Sequence, residues 1–525
     1  MRLALRLVCI LALAVPFFWR LGAEEFHGDE SHWISSGQEA FFLATTGRLN
    51  DPLWREQFYL YSQPQLGKLL IGAALAVAGM YGPTPIYDYD WQLQPEVNRA
   101  AGRVPPEAAV HAGRVPGALA GWLSCLLLWA IGAQASQPRA GLLAALLLAS
   151  HPLWLANARR AGLDATALCL GLTGTWAALQ AVSPRERPVQ GRPRRGEDRS
   201  WRWWLLAGLG FGLGLASKYT ALLMLPPAAP AAWARIVRQG GRRRVLAGAS
   251  LALATGAAVF YLSNPALYHA PLEGLRASID FLATQARDMR RTSPAFSSPP
   301  LVAAEIFDRT IWPTGFPAIV DRTLPEPLQP GSYGTPIVAL GAAVALVVLL
   351  TRGRRAPWLI AATAFWVAAV YAALALSIPI WWERWHLPLV PALCLLGGCG
   401  LAELDQRLQH GATPGTVPQG VGWLKGFRYH ALALSRRAGF LLTLAQFAAA
   451  LALEPSFLGK GFGALLSTPV GATAQLGALA LTLTALVSHW RHQRRGPHAA
   501  RHCVRAPAAG LSGPPRLAAK GERHG

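Results

Sequence analysis

Apolar runs recur along the chain, separated by clusters of arginine. Leu3 to Trp19, Val115 to Ala133, Ala140 to Leu155, Leu163 to Val182, Val245 to Leu262, Pro336 to Leu350, Pro357 to Leu376, Leu387 to Leu401 and Val470 to Val487 are each near the roughly 17–25 residues that carry a helix across hydrocarbon, a few of them short. Trp203 to Ala216 and Ala221 to Trp233 are weaker segments of the same kind. Inside a bilayer, backbone polar groups must be satisfied within the segment itself. The sequence therefore predicts an all-α polytopic membrane protein, a bundle of about 10 to 13 transmembrane helices. Composition points the same way, with 52% hydrophobic and 14% charged residues and a mean hydropathy of +0.27.

The net charge of +22 would suggest nucleic acid as a partner of a soluble protein. Here the arginines lie in the gaps between apolar runs, which is a signature of topology and speaks against nucleic-acid binding. Arg185 to Arg202, Arg235 to Arg244 and Arg352 to Arg355 form three clusters, and Arg491 to Arg495 open a tail, 491–525, that reads as basic, disordered and cytoplasmic. The six cysteines show no paired spacing, so neither a disulfide framework nor a zinc motif is indicated.

Arg2 and Arg6 precede the first run and place the N-terminus in the cytoplasm of a multi-pass protein of the plasma (inner) membrane. Keeping every arginine cluster on that side requires Leu66 to Gly82, interrupted by Lys68, to lie along or dip into the outer leaflet. Residues 1–490 then form one transmembrane domain. Its extracytoplasmic face receives a first loop region, 23–114, with short amphipathic helices, a second, 264–335, and the turn Ile378 to His386. Trp19, Trp33, Trp54, Trp91, Trp312, Trp381, Trp382 and Trp385 stand where amphipathic indoles anchor between lipid and water.

Under this topology the outer face collects the acids Asp29, Glu30 and Asp164 and the bases Lys68, Arg114, Arg159, Arg160, Lys218 and Arg384. Each base sits at a helix end or beside an apolar run, where a bound anion gains more from pairing than it would in water. A phosphate at the membrane surface is the natural ligand. Taken singly, Lys68, Arg114 and Lys218 read as snorkelling cations, and Asp29-Glu30 as a solvated turn or as the cap of a helix starting near Ser31; the collection says more than its members. His27 and His32 flank the acidic pair and leave a divalent cation open, although the spacing matches no standard metal motif. No other cofactor is implied.

Five segments in order resemble the GT-C superfamily of membrane glycosyltransferases, specifically the phospholipid-carrier branch that includes protein O-mannosyltransferases and the aminoarabinose transferase of lipid A. They are Asp29-Glu30 after the first helix; Gln63-Pro64-Gln65-Leu66-Gly67-Lys68, in which Gln65 replaces the family's second proline; Arg114-Val115-Pro116-Gly117-Ala118-Leu119; His151-Pro152 through Arg159-Arg160 to Asp164; and Gly214-Leu215-Ala216-Ser217-Lys218-Tyr219-Thr220. A weaker echo lies at Glu383-Arg384-Trp385-His386-Leu387-Pro388. The resemblance implies a GT-C type bundle that moves a sugar from a polyprenyl-phosphate donor to an acceptor on the outer face, the acceptor being a protein, lipid A, another glycan or a lipid. It makes Asp29 the candidate base and Glu30 a second acidic group orienting it or binding acceptor. Lys68, Arg114, Arg159 and Lys218 become the candidate phosphate clamp, with Asp164 and Arg384 in support. One carboxylate opposite the leaving phosphate suits a single displacement with inversion.

The alternative is a multi-pass transporter or a flippase for lipid-linked sugars. Such proteins place ionisable groups or broken helices near the midplane, often in two related halves. Here the apolar runs are nearly free of charge and no halves correspond. A non-catalytic scaffold gives no reason for gathering charge on one face.

Overall fold

The computed structural model describes residues 2–83, 86–135, 137–182, 200–239, 242–292, 298–311, 335–353, 356–379, 383–410 and a few positions between 440 and 447. These residues form helices and turns, with no strand among them. Helix α1 (Arg2–Phe18) leads through a 3-10 turn, Leu21–Ala23, into α2 (Gly28–Thr45), α3 (Leu53–Glu56), α4 (Phe58–Tyr61), α5 (Leu66–Val77) and α6 (Pro95–Ala100). Then follow α7 (Glu107–Gln134), α8 (Pro138–Ala149), α9 (Pro152–Ala158), α10 (Asp164–Val182), α11 (Ser200–Ser217), α12 (Ala228–Gln239) and α13 (Arg242–Leu262). The last helices are α14 (Pro271–Thr292), α15 (Pro299–Ile306), α16 (Pro336–Arg352), α17 (Trp358–Ser377) and α18 (Leu389–His410), with a 3-10 turn, Glu383–His386, between the final two.

Among the described residues, seven helices are long and apolar enough to cross a membrane, or eight if α8 and α9 form one bent span. The all-α polytopic class read from the sequence is borne out. Val470 to Val487 and the tail 491–525 lie outside the described residues.

Two expectations need correction. Ala140 to Leu155, read as one uninterrupted apolar run, is divided between two helices: α8 and α9 meet at 65°. The cause is local, since Pro152 offers no N–H and disfavours helical backbone at the residue before it, and His151 is accordingly extended (φ −79°, ψ 120°). Trp54, read as an interfacial anchor, is 1% exposed, and its indole N–H donates to the Arg48 carbonyl at 2.9 Å. It packs with Ala40, Leu43 and Leu60 beneath the first outer region.

Helix α5 has 12 residues and so rises about 18 Å, well short of the roughly 30 Å hydrocarbon core. It packs tightly on α2: a Cβ built on Gly72 would stand 2.1 Å from the Gly37 carbonyl oxygen. Small residues do the same for α7 and α8, where a Cβ on Gly132 would meet the Gly141 Cα at 2.4 Å. The main core joins Phe17 of α1, Leu128 of α7, Trp154 of α9, Leu168 of α10, Trp366 of α17 and Leu393 of α18.

Candidate active site

The chain enters α2 through a capping box. His27 Nδ1 accepts from the Asp29 amide at 3.3 Å while Glu30 Oε2 accepts from the His27 amide at 3.0 Å. Two acids in the first turn also complement the positive end of the helix. The helix thus starts at Gly28, upstream of Ser31, and its first turn fixes both acids.

Burial holds the His27 imidazole well below its ordinary 6.5, and the positive charges of Arg160 and then Arg384 push it further down. The neutral ring is the form that can accept at Nδ1. An unfolded chain takes up this proton first as pH falls, so the contribution to stability is complete above about 6.5 and is lost below it, toward the lowered folded value. We expect His27→Asn, which caps without titrating, to flatten the fall of the thermal midpoint of the solubilised protein between about pH 7 and about pH 5. A midpoint that declines as steeply in the variant as in the wild type would remove His27 as the cause.

The acids and bases converge on the turn Arg159–Leu163 between α9 and α10. Glu30 Oε1 accepts from the Ala161 amide at 2.8 Å and from Arg114 Nε at 2.8 Å, and Glu30 Oε2 accepts from Arg114 Nη2 at 2.8 Å. Both partners of this pair are 1% exposed. Arg114 also donates to the carbonyls of Leu21, Glu24 and Glu25, so all five of its N–H groups are spent inside the protein. Arg159 pairs with Glu24 at 3.0 Å and donates to the carbonyls of Pro16, Trp19 and Arg20. At the far end of the turn, Lys218 Nζ donates to both Asp164 oxygens at 2.7 and 2.8 Å. A Cβ on Gly117 of α7 would stand 2.8 Å from the Ala158 carbonyl oxygen and 2.9 Å from that of Arg160, so glycine lets the turn lie against the helix.

Two cations are different. Lys68 is fully buried, and its Nζ donates to the Leu60 and Gln63 carbonyls at 2.6 and 2.7 Å with no carboxylate partner among the described residues. Its neighbour Gly67 lies against Leu163, where a Cβ would approach the Leu163 side chain to 2.9 Å. Arg160 has a buried Nε with no hydrogen bond, and no ion pair among the described residues. Asp29, by contrast, keeps its side chain 19% exposed and is ion-paired with Arg384, whose guanidinium is pushed down to about 10 by burial.

The structure therefore brings Asp29, Glu30, Arg114, Arg159, Asp164, Lys218 and Arg384 to one end of the bundle. It turns the Lys68 amine onto the Leu60–Gln63 backbone beside them. Glu24 was missed by sequence reasoning because its partner Arg159 is 135 residues away and no local motif marks it. Arg160 was read only as one of several surface cations. Its lack of a partner is visible only in three dimensions. As for a cation site, His27 Nδ1 is taken by the cap, Asp29 by Arg384, and the His32 ring lies against Asp88 at 3.6 Å. Among the described residues no three His, Cys, Asp or Glu side chains converge to hold a metal ion.

Residues 108–269 match the model of the dolichyl-phosphate-mannose-protein mannosyltransferase family. That stretch contains Arg114, Arg159, Arg160, Asp164 and Lys218, and excludes Asp29 and Lys68. No curated protein matches the sequence. Among solved structures, the chain is similar to the Archaeoglobus fulgidus oligosaccharyltransferase in its apo form (TM-score 0.51, 14% identity), over 91% of this chain and 59% of that one. It is also similar to ArnT from Cupriavidus metallidurans bound to undecaprenyl phosphate (TM-score 0.44, 16% identity, 93% of this chain and 77% of that one). A complex of AglB from Archaeoglobus fulgidus with an inhibitory peptide and a dolichol-phosphate gives a TM-score of 0.49 at 15% identity, over 91% of this chain and 59% of that one. The chain thus spans about three-fifths of the archaeal enzyme's length. The helical bundle is thus similar in fold to the archaeal oligosaccharyltransferase.

Proposed function

We propose that this protein transfers a sugar from a polyprenyl-phosphate donor to an acceptor hydroxyl on the extracytoplasmic face of the plasma membrane, with inversion at the anomeric carbon. The observation that carries the reading is the charge balance at the Arg159–Leu163 turn. Glu24, Glu30 and Asp164 are consumed by Arg159, Arg114 and Lys218, while Lys68 and Arg160 lack a carboxylate partner among the described residues and Asp29 stays partly exposed. A fully buried lysine without a counter-charge is costly, as is a half-buried guanidinium whose buried Nε makes no hydrogen bond, so the two call for an anion. The donor class is supported by the name of the matched family, which describes a dolichyl-phosphate sugar.

In this mechanism Asp29 takes the proton of the acceptor hydroxyl as its oxygen attacks the anomeric carbon. The bond from that carbon to the phosphate oxygen breaks, and the electron pair leaves with the polyprenyl phosphate, which gains one negative charge. Lys68 and Arg160 stabilise that charge, with Arg384 and the remaining N–H of Lys218 at the margin. Arg114 and Arg159, with their donors committed to backbone and carboxylates, hold α1, α2 and the turn in register. Glu30 orients Asp29 through the cap it shares with His27. Attack from the side opposite the phosphate inverts the centre.

Purified protein incubated with radiolabelled polyprenyl-phosphate hexoses and pentoses and a panel of hydroxyl acceptors tests the reading directly. Label is expected in an acceptor whose new linkage has the opposite anomeric configuration to the donor. Retention of configuration would replace the single displacement by a double one, and absence of transfer from every donor would remove the transferase. Removal of one clamp cation in Arg160→Ala should raise the donor KM about tenfold or more, because a charge-assisted contact to phosphate contributes roughly 1.5–3 kcal/mol. An unchanged donor KM would take Arg160 out of the clamp.

A further inference from the structure

Trp91 is 59% exposed, yet it is held firmly. Its ring packs edge-on against Tyr89 (centroids 5.2 Å apart) and against His27 (5.4 Å), and Tyr89 in turn meets Phe26 at 5.9 Å. Both Tyr89 and Trp91 lie on the backbone of Gly28, where a Cβ would stand 2.5 Å from the Tyr89 ring and 2.8 Å from that of Trp91. Glycine at 28 is what admits the two rings, and the next residue in the chain is Asp29. A rigid, solvent-facing indole is thereby held against the residue that immediately precedes the base and against the His27 ring that caps it.

The segment bearing these rings is tied down from behind. The Tyr87 amide donates to Ser35 Oγ at 3.0 Å, Asp88 to the Ile86 carbonyl, Tyr89 to the Tyr87 carbonyl, Asp90 to Asn98 Oδ1 at 2.9 Å and Gln92 to Asp90 Oδ1 at 2.9 Å. Five of the six amides from Tyr87 to Gln92 are thereby committed, which leaves this stretch little edge for an extended peptide to pair with. What it presents outward is an aromatic face. Aromatic faces are electronegative and attract the polarised C–H groups of an apolar surface laid flat on them. A sugar ring has such a C–H face, with hydroxyls around its rim, one of which would then lie over the next residue, Asp29.

We propose that Trp91, seated with Tyr89 on Gly28, is the acceptor platform, and that the acceptor is itself a carbohydrate whose ring stacks on the indole and offers a rim hydroxyl to Asp29. This rests on the transferase reading above and narrows its acceptor to a glycan or the sugar of a glycolipid.

The test uses the full-length protein with radiolabelled polyprenyl-phosphate sugars, short oligosaccharides in one arm and Ser/Thr peptides in the other, comparing wild type with Trp91→Leu and Trp91→Phe. Label should enter oligosaccharides. Trp91→Leu, which keeps apolar bulk and loses the ring, should raise the acceptor KM about tenfold with kcat and the donor KM within about twofold, and Trp91→Phe should recover most of the loss. A membrane anchor would tolerate leucine, so an unchanged acceptor KM in Trp91→Leu overturns the platform, as does transfer confined to peptides. Those outcomes leave donor turnover intact. Loss of the transferase reading would show instead as no transfer to either arm by the wild type, and would overturn the platform with it.

Discussion

Asp29→Asn should lower kcat by about 10²–10⁴-fold while leaving the protein folded and its affinity for polyprenyl phosphate undiminished. The amide fills nearly the same space and cannot take a proton from an acceptor hydroxyl. The amide does cost stability, because the Asp29–Arg384 pair is largely buried, at 19% and 24% side-chain exposure, and a neutral partner leaves the guanidinium without its full counter-charge; the thermal midpoint should fall while the fold is kept. An incoming phosphate can supply the negative charge that the amide no longer presents to Arg384, so donor binding should hold or tighten. Thermal unfolding, a polyprenyl-phosphate binding isotherm and single-turnover transfer, run on the same preparation, separate the three quantities. Turnover within about threefold of wild type would remove Asp29 as the base and with it the mechanism.

The neighbouring acid shows where sequence reading stopped. The apolar runs marked α1, α10, α13, α16 and α17 to within a few residues, and α7 and α18 to within two or three turns at one end, because a bilayer accepts few alternatives to a long apolar helix. Asp29-Glu30, Lys68, Arg114, Arg159, Asp164 and Lys218 could be picked out because their motifs are local. What sequence could not supply was partnership. Arg114 and Glu30 are 84 residues apart, and nothing near either says that they neutralise each other. The same holds for Glu24 and Arg159, and the absence of any such partner at Arg160 among the described residues is a property of the assembled turn alone. The break at His151 was written in Pro152 yet overlooked, because the hydropathy of Ala140 to Leu155 is continuous across it.

Glu30→Gln should leave the reaction nearly intact per folded molecule and destabilise the fold by about 3–5 kcal/mol, the penalty typical of leaving one member of a buried ion pair uncompensated. Both Glu30 oxygens are committed, to Arg114, Ala161 and His27, and none is turned toward solvent. A neutral amide can accept from some of these donors, but it cannot balance the guanidinium at 1% exposure and must present an N–H where only donors stand. Arg114→Leu should be at least as damaging, since it strands Glu30 and also the carbonyls of Leu21, Glu24 and Glu25 that the guanidinium ties together. The double variant Glu30→Leu with Arg114→Leu should lose less than the sum of the two, by a coupling on the order of 1–3 kcal/mol, because removing both charges leaves neither unpaired. Denaturant unfolding in detergent gives the stabilities, and transfer normalised to folded protein gives the activity. A Glu30→Gln protein as stable as wild type and catalytically dead would reverse the assignment and put Glu30, not its neighbour's scaffold, into the reaction.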